Sequence, residues 1–382
     1  MAVTIRGYDV HCALGRGVEL CVQQLQRGGV TPTMRRFDRL REPLELPWLT
    51  MPGEAADLYQ YLGEVTEQLL QKSGLSSAER RRTAILLGSS SFDVQVSEER
   101  YHADFAQRGE AAVSMPIVGY GKLANRLAQT LQLSDCHYTY STACTSSANA
   151  LLYGQRLIEA GRVDHALVVG LEWRNHTSIL GFQGLGLISP SGAMNSFDSN
   201  RDGLILGEGV GAIVLSRAPA AHLPLLIGGA IGTDNHSLTA ANTDGLQLSR
   251  VITRALRDSG ITAKQLVAVK AHATASLKND EAEAAALRRV LGEQLPPVFA
   301  LKPLCGHTLG ASGALELALT LACLATGQLP TNPKARNDGG LGVQLQRQPL
   351  PAPAGDYLFN CFAFGGNNNA MVIRHPGQGV AA

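Results

Sequence analysis

Three short apolar runs in this chain each stop at a potentially reactive side chain, and that arrangement restricts the fold more than any other feature. The first, His137 to Thr142, leads through Ala143-Cys144-Thr145 into a helix-patterned stretch, Ser146 to Ala160, closed by Gly161. The second, Leu266 to Val269, ends at Lys270-Ala271-His272. The third, Val298 to Leu301, gives way to Lys302-Pro303-Leu304-Cys305-Gly306-His307 and then to an Ala- and Leu-rich helix around Leu315 to Thr326, ended by Gly327. A strand, elbow, helix, strand order requires crossover helices, so mostly parallel sheets are expected. Catalytic groups in such open sheets gather at strand ends.

A thiol at a helix N-terminus meets partial positive charge and unpaired N–H donors, so Cys144 is expected to have a depressed pKa. Its own backbone N–H then points toward any carbonyl the sulfur attacks. Most free cysteines are buried hydrophobes, and a single histidine among ten is more often a satisfied polar group than a catalyst. The joint placement of Cys144, His272 and His307 at comparable elbows is what argues for chemistry. A further segment, Phe359-Asn360-Cys361-Phe362-Ala363-Phe364-Gly365-Gly366-Asn367, reads as a strand ending in a turn that glycine and asparagine tolerate.

Together these blocks resemble the β-ketoacyl-acyl-carrier-protein synthases of the thiolase superfamily. The resemblance rests on Ala143-Cys144-Thr145-Ser146-Ser147, on His272 followed by Thr274 and Ser276, on Lys302 before His307, and on Phe362-Ala363-Phe364-Gly365-Gly366. Ser196-Phe197-Asp198-Ser199-Asn200-Arg201-Asp202-Gly203 agrees with it, and the blocks run in the family's order from about residue 138 onward. It implies an α/β thiolase-like fold of two duplicated βαβ-rich halves in α-β-α-β-α layers, and a decarboxylative Claisen condensation. Cys144 would carry the acyl group, and the N–H groups of Cys144 and Phe364, the latter freed by Gly365-Gly366, would hold the oxyanion. His272 and His307 would stabilise the enolate. Lys302 would organise the site, with Glu283 as an acidic partner, and Thr274 and Ser276 would contact the phosphopantetheine arm. No metal or bound cofactor is implied. The partners would be an acyl carrier protein and a second subunit, in a homodimer or a heterodimer with a related chain. Ala273, Ala275, Ala363 and Asn368 depart from the family pattern, and the extra methyl groups at 273 and 275 are expected to narrow or redirect the pocket. The short N-terminal half resembles that of specialised-pathway members such as those of aryl polyene clusters.

The composition excludes several alternatives. A net charge of +1 leaves no electrostatic footprint for nucleic acid. The basic cluster Arg35, Arg36, Arg39 and Arg41 is small, and is expected either to be solvated surface or to dock an acidic carrier. Seven scattered cysteines without a C-x-x-C pair indicate reduced thiols rather than a disulfide framework or zinc site. No secretory pattern opens the chain, and the most apolar helix contains Glu316 and is too short for a bilayer, so a cytoplasmic protein away from membranes is expected.

Along the chain, helices are expected at Val18 to Gln26, Leu58 to Lys72 and Lys122 to Leu131, with strands at Val3 to Ile5, Thr83 to Gly88 and Ala166 to Gly170. Thr31 to Pro52, carrying Trp48, reads as a loop, and so does the glycine-rich run Trp173 to Gly192, whose length suits a binding-site wall. The seam Pro219 to Pro224 separates an N-terminal half, residues 1–222, from a C-terminal half, residues 223–382. Gly207-Glu208-Gly209-Val210-Gly211 looks like a dinucleotide fingerprint, but strand-like Ala212 to Ser216 follows where a helix N-terminus would be needed.

Three other readings compete with a chain-elongating synthase. A chain-length-factor-like partner subunit commonly lacks the nucleophile that Cys144 supplies. A papain-like hydrolase leaves the Phe364 turn and the second histidine unexplained. A biosynthetic thiolase needs a second catalytic cysteine, for which only Cys361 is nearby.

Overall fold

The two halves of the central sheet repeat one another strand for strand. The structure, a computed structural model, describes residues 2–37, 43–53, 57–113 and 120–377. In the first half Thr83–Gly88 lies parallel to both His137–Tyr140 and His165–Glu172, and antiparallel Gly209–Ser216 and Val3–Cys12 complete the series. In the second, Leu266–Lys270 lies parallel to both Val298–Phe299 and Gly355–Phe362, and antiparallel Asn367–His375 and Leu225–Thr233 follow. Val3–Cys12 meets Leu225–Thr233 through only two register pairs, which fuse the halves into one continuous sheet.

Two helices fill the space between the half-sheets. Ser312–Ala325 is buried from Ser312 to Leu324, as an all-round apolar helix must be. It touches Gly209–Ser216 on one side and Gly355–Phe362 on the other. Ser146–Glu159 likewise contacts Thr83–Gly88 and His165–Glu172 in the first half, and Leu225–Thr233 and Asn367–His375 in the second. Leu58–Lys72 and Tyr120–Thr130 cover the outer face of the first half, and Leu246–Asp258 with Leu277–Leu291 packed on it covers the second. The result is the layered α-β-α-β-α architecture that the resemblance implies. The two central helices cross closely, and a Cβ on Gly313 would lie 2.3 Å from the Ala148 nitrogen.

Three expectations are corrected. The sheet is mixed rather than mostly parallel: the four residues after Gly355–Phe362 turn the chain straight back into antiparallel Asn367–His375, which needs no crossover helix. Thr31 to Pro52 is not a loop but a hairpin, Thr33–Phe37 against Leu44–Leu49, whose second strand also pairs with Leu206–Gly207 and buries Trp48. Trp173 to Gly192 contains a helix, His176–Gly184, begun by Asn175, whose side-chain oxygen accepts the Ser178 N–H at 2.8 Å. Arg39 and Arg41 of the basic cluster lie outside the described residues, while Arg35 donates to Thr50 Oγ1 at 3.0 Å. Among the described residues no helix is long and apolar enough to cross a membrane.

Gly313→Ala tests the central layer, because its methyl group has no room against the Ala148 backbone. It should cost about 2–3 kcal/mol, read as a lower urea midpoint at unchanged m-value.

Candidate active site

The Cys144 elbow is a strained turn held by its own hydroxyls. Ala143 adopts φ 50°, a left-handed conformation that costs an alanine roughly 1–2 kcal/mol. Thr142 N–H donates to Ser146 Oγ at 2.9 Å, and that hydroxyl donates to the Ala143 carbonyl at 2.6 Å. The Ser146–Glu159 helix begins two residues after the thiol, which places Cys144 just ahead of its N-terminus.

His307 reaches that sulfur from the opposite half of the molecule. Its backbone N–H donates to the Ile205 carbonyl at 2.8 Å and its carbonyl accepts the Gly207 N–H at 3.1 Å, which pins the elbow after Lys302–Cys305. Nε2 then lies 3.1 Å from Cys144 Sγ. On the far side of the ring the Leu309 backbone N–H donates to Nδ1 at 3.2 Å. A backbone N–H can only donate, so Nδ1 is the bare nitrogen and the proton sits on Nε2.

His272 is set the same way by a different group. Its ring stands 5.6 Å from that of His307 at 87°, and its Nδ1 faces the Lys302 ammonium at 3.2 Å. An ammonium has no lone pair, so this proton too belongs on Nε2. Burial first, and the Lys302 charge second, push both imidazoles well below the ordinary histidine range, so both are neutral at pH 7.

The acidic partner of Lys302 is Glu316, at 2.6 Å, and not Glu283 as the sequence suggested. Glu283 is turned toward the backbone instead. Its carboxylate accepts the N–H groups of His272 (2.7 Å) and Ala273 (2.8 Å) and the Asn360 amide (3.3 Å). It therefore does not line the cavity and holds the His272 loop from behind. That loop needs holding, because Ala273 and Ala275 have φ 52° and 60°. Neither alanine lines the cavity, so their methyl groups strain the loop rather than narrow the pocket.

Cys144, His272, His307, Thr274, Ser276, Phe364 and Gly366 share one cavity of about 310 Å³. Thr274 Oγ1 and Ser276 Oγ lie 3.0 Å apart on its wall, and Phe182 stacks on Phe364 with ring centroids 5.6 Å apart. The Phe364 backbone N–H acts on the Cys144 sulfur, favouring its ionised form. Gly366 permits this turn: at φ 69° any Cβ would fall 1.5 Å from the Asp234 carbonyl oxygen. Gly365, outside the lining, donates its N–H to the Leu238 carbonyl at 2.7 Å.

One electrostatic expectation is reversed. Burial pushes the Cys144 thiol up to about 12, with Lys302 and the Phe364 N–H acting in the opposite direction. A helix terminus contributes at most about 2 kcal/mol, little more than one pK unit, so the resting sulfur is a thiol. Two further carboxylates escaped the motif reading. Glu316 was visible only as a lone charge in an apolar helix, which by itself demands a buried partner. Glu172 closes His165–Glu172 and accepts from Ser90 N–H and Gly310 N–H, each at 2.9 Å, and from the Ser91 hydroxyl, tying the turn after Thr83–Gly88 to the turn after His307.

Burial raises the Glu172 carboxyl to about 7 from an ordinary 4.5. A raised acid is stable as the neutral form, so its contribution falls as pH rises from the unfolded value through 7. Relative to wild type, Glu172→Gln should therefore gain on the order of 2–3 kcal/mol of stability between pH 4 and pH 8, measured by denaturant unfolding at both.

The chain matches the family models for the beta-ketoacyl synthase N-terminal domain over residues 52–221 and the C-terminal domain over residues 225–336. It is 28% identical over 332 residues to the 3-oxoacyl-[acyl-carrier-protein] synthase 2 of Vibrio cholerae, covering 80% of each chain. To the enzyme of the same name from Mycobacterium tuberculosis it is 29% identical over 330 residues, 81% of this chain and 78% of that one. Among solved structures, it superimposes on a chain of the ketosynthase ApeO–chain length factor ApeC complex of Xenorhabdus doucetiae with a TM-score of 0.84 and 26% identity, covering 98% of both. A beta-ketoacyl synthase from Burkholderia phymatum shares the fold at TM-score 0.85 and 24% identity, over 98% and 99% of the two chains. With both family models matched in order around a Cys–His–His cavity, this chain belongs to the beta-ketoacyl synthase family.

Proposed function

We propose that the chain is a β-ketoacyl-acyl-carrier-protein synthase that condenses a malonyl thioester with an acyl group carried on Cys144, in fatty acid or polyketide biosynthesis. The observation that carries this reading is the 3.1 Å approach of His307 Nε2 to Cys144 Sγ, with His272 beside it. Both tautomers leave an N–H for the cavity, which makes the histidines donors to an anion rather than bases.

In the first half-reaction the Cys144 sulfur attacks the carrier thioester carbonyl. The N–H groups of Cys144 and Phe364 hold the tetrahedral oxyanion, and collapse expels the pantetheine thiol, which leaves with the proton Cys144 lost. In the second, malonyl thioester enters and its carboxylate departs as carbon dioxide. The electron pair becomes an enolate, whose oxygen takes the Nε2–H groups of His272 and His307. The enolate carbon attacks the Cys144 thioester, the C–S bond breaks, and the released thiolate takes a proton from water. The high thiol pKa favours that return to the resting state. The thioester itself stabilises the carbanion, so the chemistry calls for no bound cofactor. Thr274 and Ser276, on the cavity wall, suit the amides of the phosphopantetheine arm.

The partners proposed are an acyl carrier protein and a second subunit, a copy or a related chain. The sheet ends at the edge strand His137–Tyr140, where Tyr138 is 46% exposed, and this edge is the surface such a subunit would cover. A cytoplasmic setting fits the free thiols. A chain-length-factor role is disfavoured by the intact Cys144–His307 contact.

Incubation with a panel of acyl carriers should add an acyl mass to Cys144, and subsequent malonyl carrier should yield β-ketoacyl product and carbon dioxide. Cys144→Ala should abolish the adduct, and His307→Ala should slow condensation roughly 100-fold or more. A folded wild-type protein that is never acylated and forms no product with any chain length overturns the reading.

A further inference from the structure

A second buried lysine stands behind the site, and none of the steps above uses it. Lys270, 1% exposed, closes the strand that delivers His272. Its ammonium lies 2.5 Å from Glu316 Oε2, while Lys302 takes Glu316 Oε1 at 2.6 Å. The Lys270 ammonium also sits 4.2 Å from the centre of the Phe359 ring and 3.9 Å from Cys361 Sγ. One carboxylate thus serves two ammonium groups, each more than 98% buried. Ion pairs in such surroundings are normally matched one to one, because a surplus desolvated charge is costly. Glu283 also acts on Lys270 through its charge while accepting from the His272 and Ala273 N–H groups, so the charges behind the site meet at the His272 loop.

We propose that Lys270 is a positioning residue for the condensing half of the reaction, fixing Glu316 so that Lys302 stays on His272 Nδ1. The assignment rests on the condensing reading above and adds to it a residue outside the cavity. The geometry is a relay from Lys270 through Glu316 and Lys302 to His272. With Lys270 in place, each carboxylate oxygen of Glu316 has its own cation, and Lys302 cannot swing onto both oxygens. It therefore keeps an N–H for His272, which holds that imidazole as the Nε2–H tautomer. The added charge also favours an enolate in the cavity. Both histidines feel the Lys270 charge, whereas the forces that dominate at Cys144 are burial, Lys302 and Glu172. The two half-reactions should therefore respond differently.

Lys270→Met separates this role from simple charge neutralisation. Glu316 keeps Lys302 as its counter-ion, so the variant should fold, with a lowered Tm because one cation of a buried ion-pair network is removed. With acetyl- and malonyl-pantetheine thioesters as probes, Cys144 acylation followed by intact mass should proceed at the wild-type rate. Carbon dioxide release should fall roughly 10- to 100-fold, the range for a group that acts through a directly contacting residue. Lys270→Gln, which keeps a donor to Glu316 without the charge, should show the same selective loss and serves if the methionine variant does not fold. Equal rates for variant and wild type in both half-reactions overturn the assignment. So does a parallel fall in both, or the failure of both variants to fold, since each marks a merely structural lysine. A wild-type protein that neither acylates nor releases carbon dioxide overturns the condensing reading and this assignment with it, and is told apart because no variant is involved.

Discussion

The Glu316 carboxylate is the point where the core and the site become one object. It sits in the middle layer of the molecule, fully buried on a helix otherwise built from alanine, leucine and small residues. An isolated buried charge there would cost several kcal/mol, so the ion pairs with Lys302 and Lys270 are obligatory for the ionised form. Those two lysines come from the segments that deliver His307 and His272. The packing of one helix between two half-sheets thereby fixes the tautomer of an imidazole in the cavity.

Carboxylates also bear the cost of strain elsewhere in the site. Left-handed alanines at 143, 273 and 275 are unfavourable by themselves, and each belongs to an elbow that must present a side chain at a set angle. Glu283 holds the His272 loop through two backbone N–H groups, and Glu172 joins the Ser90 and Gly310 turns. All three acids are buried and all accept from at least two groups, which satisfies their oxygens in the interior. The Cys144 thiol receives the opposite treatment. Cys144 is kept as a thiol by burial, against the pull of Lys302 and the Phe364 N–H.

Much of this was legible in the residues because periodicity and elbow chemistry are local. The helices at Val18–Gln26 and Leu58–Lys72 and the strand Thr83–Gly88 fall where the apolar spacing puts them. The left-handed Gly161 and Gly327 end the two central helices as their positions suggest. The hairpin around Trp48 reads as a loop in sequence because proline and arginine punctuate it, while its pairing to Leu206–Gly207 comes from 158 residues away. The helix His176–Gly184 was hidden by glycines that usually argue against one.

Residue identity alone determined the α/β plan and placed Cys144, two histidines and a glycine turn at strand ends, since each is written in a contiguous stretch whose local preferences agree. Only the folded chain decided which acid partners Lys302, that Glu283 grips backbone rather than lysine, and that the sulfur rests protonated. Those outcomes depend on burial and on which of several distant charges arrives first within hydrogen-bond reach, and neither distance nor desolvation is a property of any single stretch of sequence.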